Sequence, residues 1–138
     1  MALRIALKDG ERIVLNGAVL RSVGRTELRV ESQAALLRGR EIMTPEDATT
    51  PARQLYFHTM MAYIDPDGRE AHQRAVVESL GAVARLLATP PASGVAMSFA
   101  ANAAGMHFYR ALADCRKLIA LEDEALAAAE RASQPVAA

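Results

Sequence analysis

Three histidines and one cysteine are the side chains of this 138-residue chain best suited to nucleophilic, acid–base or metal chemistry. Their spacing supplies none of these. Cys115 and His107 stand eight positions apart, more than two turns along one helix, so they form no thiol–imidazole pair. Cys115 also falls on an apolar stripe and reads as a small buried hydrophobe. His58 sits in the most apolar segment, where it is either a ligand or base or, on the plainer reading, a core histidine satisfied by a backbone carbonyl. His72 lies at a polar helix start and needs no special role. Asp65-Pro66-Asp67-Gly68 opens like a calcium loop, but Val76 occupies the twelfth position, where such a loop needs a Glu. C-x-x-C, H-E-x-x-H and the glycine-rich phosphate loops are all missing. The expectation is a protein without catalytic residues, metal, cofactor or small-molecule substrate.

Charge gives the first asymmetry. Sixteen basic and sixteen acidic residues cancel over the chain, yet residues 1–40 hold eight basic against four acidic, a local net of +4. Only Lys8 and Lys117 are lysines. A guanidinium fork binds phosphate through two hydrogen bonds and stacks on bases, which an ammonium cannot do. Arg4, Lys8, Arg12, Arg21, Arg25 and Arg29 therefore read as an anion- or RNA-facing sheet, or else as a solvated strand face. Aromatics make up 4% and Trp is absent, which argues against base stacking on aromatic platforms as the main binding mode. Glu122-Asp123-Glu124 reads as a solvated helix face, with a partner contact as the alternative.

The elements that carry these residues follow from periodicity. Leu3, Ile5 and Leu7 alternate with Arg4, Ala6 and Lys8, the period of a half-buried strand. Asp9-Gly10 and Asn16-Gly17 are two-residue hairpin signals. They bracket a strand over 11–15, followed by strands over 18–23 and 26–31 and a short one near 35–38. Val14 and Val19 place apolar groups on the second face, so both faces are partly covered. The period then changes to 3.6. Thr44-Pro45-Glu46-Asp47 starts a short helix, and Thr50-Pro51 opens a helix to Ile64 with no Lys, Arg or carboxylate between Arg53 and Asp65. That segment is the buried central helix. Further helices are expected from Gly68 to about Ala88, from Ser93 to Gly105, and along the last third, with Phe108, Leu112, Cys115, Ile119 and Leu126 on one face.

The fold class is therefore α+β, an antiparallel β-meander or small roll (1–42) packed on a helical bundle (43–131), with a frayed tail at 132–138. Half the residues are apolar (51%), enough for a packed core. The N-terminus has no apolar run of signal-peptide kind. The uncharged stretch Leu86–Tyr109 is broken by Pro90 and Pro91 and made largely of alanine, so no membrane span is expected. One cysteine suits a reducing cytosol, and the localisation read from these features is cytoplasmic.

Three blocks of sequence carry a resemblance. They are Met1–Val19, with Lys8, Glu11, Arg12, Asn16 and Gly17; Thr50-Pro51-Ala52-Arg53-Gln54-Leu55-Tyr56-Phe57; and Ala111-Leu112 through Arg116-Lys117-Leu118-Ile119 before Glu122. In order and spacing they resemble the FlbT family, small bacterial regulators of flagellin production. The resemblance implies binding to the 5′ untranslated leader of flagellin mRNA, lowering its translation or lifetime, and linkage to flagellin and to FlaF. It supplies no residue-level map. The alternative is a protein-interaction module that holds flagellin or FlaF through the helical half.

Overall fold

The structure, a computed structural model, describes residues 3–133. Alternating apolar and charged side chains yield five short strands: β1 Leu3–Leu7, β2 Arg12–Leu15, β3 Ala18–Arg21, β4 Thr26–Val30 and β5 Leu36–Arg38. All pairings are antiparallel, but they divide into two sheets, β1-β4 and β3-β2-β5. The hairpin expected about Asp9-Gly10 does not form, and the strands are not a continuous meander. The tight turn itself is present, with Glu11 N donating to the Lys8 carbonyl at 3.1 Å and Gly10 at φ +79°. It hands the chain from one sheet to the other. The reason is burial: stacking the sheets face to face encloses Ile5, Leu7 and Ile13 in one apolar cluster, flanked by Val30 and Leu36. Side-by-side pairing of β1 with β2 would leave the same side chains on one open face.

Polar contacts lock the two layers. Arg38 Nη2 donates to the Ala6 carbonyl of β1 and to Glu11 Oε2, both at 2.9 Å. Asp9 Oδ1 accepts from Gly24 N at 2.8 Å, tying the β1–β2 turn to the β3–β4 turn. The Asn16-Gly17 hairpin forms as expected, with φ of 50° and 86°, the left-handed pair a type I′ turn requires. Gly17 serves a second purpose, since a Cβ there would stand 2.9 Å from the Ile64 carbonyl oxygen. The sheet can approach the helices only because that side chain is missing.

Single 3-10 turns at Gly39–Glu41 and Pro45–Asp47 lead into four helices: α1 Pro51–Ile64, α2 Arg69–Leu86, α3 Ala92–Ala104 and α4 Phe108–Ser133. As expected, α1 is central. Its Leu55, Tyr56, Met60 and Ile64 pack with Val76 and Val83 of α2, Phe99 of α3, and Leu112, Cys115 and Leu118 of α4. Val14 and Leu37 join that core from β2 and β5, whereas Val19 is 66% exposed. The second-face burial expected of Val14 and Val19 thus holds for Val14 only. Leu126, expected on the buried stripe of α4, is also exposed. Ala132 and Ser133 continue α4 instead of fraying, and the rest of the expected tail, 134–138, lies outside the described residues. No described helix is long and apolar enough to cross a membrane.

Two outcomes test this architecture. Gly17→Ala should destabilise by roughly 2 kcal/mol or more in urea unfolding, because left-handed strain adds to a backbone clash. Gly24→Ala, at φ +77° with open space around it, should show the strain alone and lose less. Separately, Asp65 Oδ2 meets His72 Nε2 at 2.9 Å, and that contact with the Gly68 amide holds the Asp65 carboxyl below its ordinary value. A carboxyl depressed on folding stabilises above the unfolded value and loses that contribution as pH falls through the folded one. Stability should decline as pH drops below about 4, and His72→Ala should raise the Asp65 titration midpoint seen by NMR.

Candidate nucleic-acid interface

The strand register decides where the six early cations go. Arg4 lies opposite Arg29 in β1-β4, and Arg12 opposite Arg21 in β2-β3. Like charges directly opposite each other destabilise a sheet. Glu27 offsets the first pair through Arg4, and the second pair is exposed to solvent at the strand ends. Alternation turns Arg4 and Arg29 away from the Ile5–Leu7–Ile13 cluster on one sheet, and turns Arg12 and Arg21 away from it on the other. The six thus form no single stripe. They form two pairs on opposite layers, with Lys8 and Arg25 at the turns between.

Four of the six gather at one end. Lys8 and Arg25 flank the turns joined by Asp9 and Gly24, and Arg12 and Arg21 are the first and last residues of β2 and β3 at that same end. Arg4 and Arg29 stand three residue pairs from the turn end of their sheet, about 10 Å along the strands. Nearby carboxylates have other partners. Glu11 accepts from Lys8 N at 3.1 Å and from Arg38, contacts that hold its pKa below the usual range. Arg4 Nε pairs with Glu27 at 3.0 Å. Among the described residues, Lys8, Arg12, Arg21, Arg25 and Arg29 form no ion pair. Arg12, Arg21, Arg25 and Arg29 are exposed as well.

The other chemistry-bearing residues turn out to be structural. Cys115 is fully buried, and burial pushes its thiol up to about 12, so it is the small hydrophobe expected. His58 is half-buried and meets Phe57 edge-on at 5.6 Å; burial first, then His72, lowers its pKa. No hydrogen bond to a backbone carbonyl is made by its ring among the described residues. Arg69 donates from Nε to the Ala62 carbonyl at 2.9 Å and lies over the Phe108 ring. Tyr109 Oη donates to Glu41 Oε2 at 2.5 Å, which pushes the phenol up to about 12. Tyr56 Oη donates to the Glu41 carbonyl, so Glu41 joins the strands to α1 and α4.

The acidic run departs most from expectation. Glu122 has no exposed surface, and its Oε2 accepts from Ala52 N at 2.8 Å, capping α1. Arg53 sits beside it, 3.6 Å from Oε1, and grips Asp123 through two hydrogen bonds of 2.9 and 3.0 Å. A signal for this was available: Glu122 stands four residues after Leu118 and seven after Cys115, on the buried stripe of α4. No group of metal-ligating side chains occurs among the described residues.

The structure defines a small α+β roll on a helical bundle, with cations free of ion pairs among the described residues around two joined turns. Comparison with known proteins narrows the class. The model of the family described as "Flagellar protein FlbT" matches residues 3–126. A Caulobacter vibrioides protein named "Probable flagellum biosynthesis repressor protein FlbT" is 36% identical over 127 residues, 91% of this chain and 90% of its own. A namesake from Caulobacter sp. strain K31 is 35% identical, covering 91% of this chain and 97% of its own. One from Allorhizobium ampelinum is 48% identical over 68 residues, 49% of this chain and 46% of its own. No solved structure matches. The chain belongs to the FlbT family.

The buried cap gives a direct test. Glu122→Ala should cost about 3 kcal/mol in chemical denaturation, since it leaves the buried Ala52 N–H without an acceptor and opens a cavity where the side chain was packed, while Arg53 keeps Asp123. Glu122→Gln, whose amide oxygen still accepts from Ala52 N, should lose roughly half as much.

Proposed function

We propose that this chain is a cytoplasmic regulator of flagellum biosynthesis that binds the 5′ untranslated leader of flagellin mRNA and lowers its translation or lifetime. The family membership and the names of its relatives support the regulatory role. The observation that carries the RNA reading is the set Lys8, Arg12, Arg21 and Arg25 around the tied turns, without ion pairs and without a structural task. Arg29, and Arg4 more weakly because Glu27 holds it, extend the cationic track over the outer layer. A track that passes around the end of a roll suits a flexible single strand and not a stiff duplex. Covering the ribosome site or exposing the leader to nucleases needs no catalytic residue.

A second reading has its own observation. Leu80 and Ala84 of α2, Leu87 just after it, and the region around Met97 and Ala100 of α3 line an apolar cleft of about 300 Å3, and Met97 is 74% exposed. Such a groove favours the lesser alternative, a module that holds flagellin or FlaF and acts on the mRNA indirectly. Co-elution with either protein in the absence of RNA would favour that reading.

With four to six phosphate contacts, affinity for a single-stranded leader should fall with log salt at a slope of about −3 to −4. Reversal of Arg12, Arg21 and Arg29 to Glu should abolish leader binding while the helical circular dichroism and melting temperature stay nearly unchanged. Survival of leader affinity in that variant, or equal affinity for a scrambled leader, would remove the proposed interface.

A further inference from the structure

The outer strand of the three-stranded sheet is bare on its free side. Sheet order leaves β3 with β2 on one edge and no strand on the other among the described residues, and all four of its residues are exposed. Which backbone groups face the open edge follows from the ladder. Gly10 N donates to the Ser22 carbonyl and Ser22 N to the Glu11 carbonyl, so Ser22 bonds toward β2. By alternation Leu20 and Ala18 do the same, and Val19 and Arg21 direct their N–H and C=O groups outward. Natural edges are usually blunted by Pro, Lys, an inward charge or a covering loop. This one has no Pro or Lys, and its blunting is limited to its four-residue length and the charge of Arg21 at its end. It presents Val19 and Leu20, 66% and 43% exposed, with Val23, 91% exposed, just beyond.

Charge decides what fits. Arg12 and Arg21 lie side by side on the same face as Val19, and neither is ion-paired among the described residues. A second copy of β3 would bring two more arginines against this pair, so self-pairing is disfavoured. The geometry points to a peptide-binding edge: β3 takes an extended acidic–apolar segment of a partner protein as an added antiparallel strand. Read from its N-terminus, the segment carries an acidic residue opposite Arg21, then an apolar one opposite Leu20, then an apolar one opposite Val19. Main-chain bonds to Val19 and Arg21 supply the attachment, and the carboxylate beside Arg21 and Arg12 supplies the selectivity. The inference does not depend on RNA binding and stands or falls separately.

The test is residue-resolved hydrogen exchange on the full chain with a capped eight-residue peptide containing Glu-Val-Val, against the same peptide with Lys for Glu. The expected result is slowed exchange at the Val19 and Arg21 amides, with Ala18 and Leu20, already bonded to β2, unchanged. The Lys peptide should bind about fivefold or more weakly. In Arg21→Glu the preference should invert. Val19→Pro, which removes only an outward donor, should abolish the effect of the Glu peptide. Unchanged Val19 and Arg21 amides, or equal effects of the two peptides, would overturn the proposal. So would slowing that grows with protein concentration without peptide, which assigns the edge to a second copy. The same slowing produced by single-stranded RNA alone would overturn it too.

Discussion

The bundle is organised by one carboxylate that sees no water. An α-helix begins with donors that lack intrahelical partners, and burying such an end is unfavourable unless each donor is satisfied. At the start of α1 the account closes. Pro51 has no N–H, Ala52 N reaches Glu122, and Arg53 N reaches the Thr50 hydroxyl. Because Glu122 comes from α4, seventy residues later, the cap also fixes how the last helix crosses the central one. Its negative charge lies at the positive end of α1, the favourable sense of the helix dipole. Its second oxygen has no hydrogen-bond partner, and Arg53, shared with Asp123, balances it at slightly longer range. The strands depend on this frame in turn, since Val14 and Leu37 complete a core that α1 centres.

Much of this was legible in the sequence. Element type and order follow from the change of period near residue 40, from the proline-led helix starts and from the glycines with positive φ. The α+β class, the central α1 and the inert Cys115 all follow from local pattern. What pattern does not encode is pairing. Asp9-Gly10 marks a tight turn, and the turn is there, but a turn does not say whether its flanks bond to each other or stack. That choice belongs to Ile5, Leu7 and Ile13, which are better enclosed between layers than aligned on one. Glu122 fails for a related reason: a run of three acids looks solvated until each position is placed on the helix stripe.

The cationic set was legible as residues and not as a surface. Period two correctly points each early arginine away from its apolar neighbours. Because the strands split between layers, away from the neighbours means opposite directions for Arg4 and Arg12. The opposed pairs Arg4–Arg29 and Arg12–Arg21 required the register, which no single strand contains. Fold stability and surface charge are largely separated here. Arg4 with Glu27 joins β1 to β4, but the ion pairs of Arg38 with Glu11 and Arg53 with Asp123 use residues outside the cationic set, and the end of the roll is left without ion pairs among the described residues.

The burial of Cys115 reaches beyond the core. The sole thiol is closed off from solvent and held in its protonated form, so reagents that attack thiolates have no purchase on the folded chain. A cysteine introduced on the rim of the roll would then be the single reactive sulfur. Fluorophores, spin labels or crosslinkers can be positioned there on an otherwise native sequence, with signal at Cys115 itself reporting unfolding.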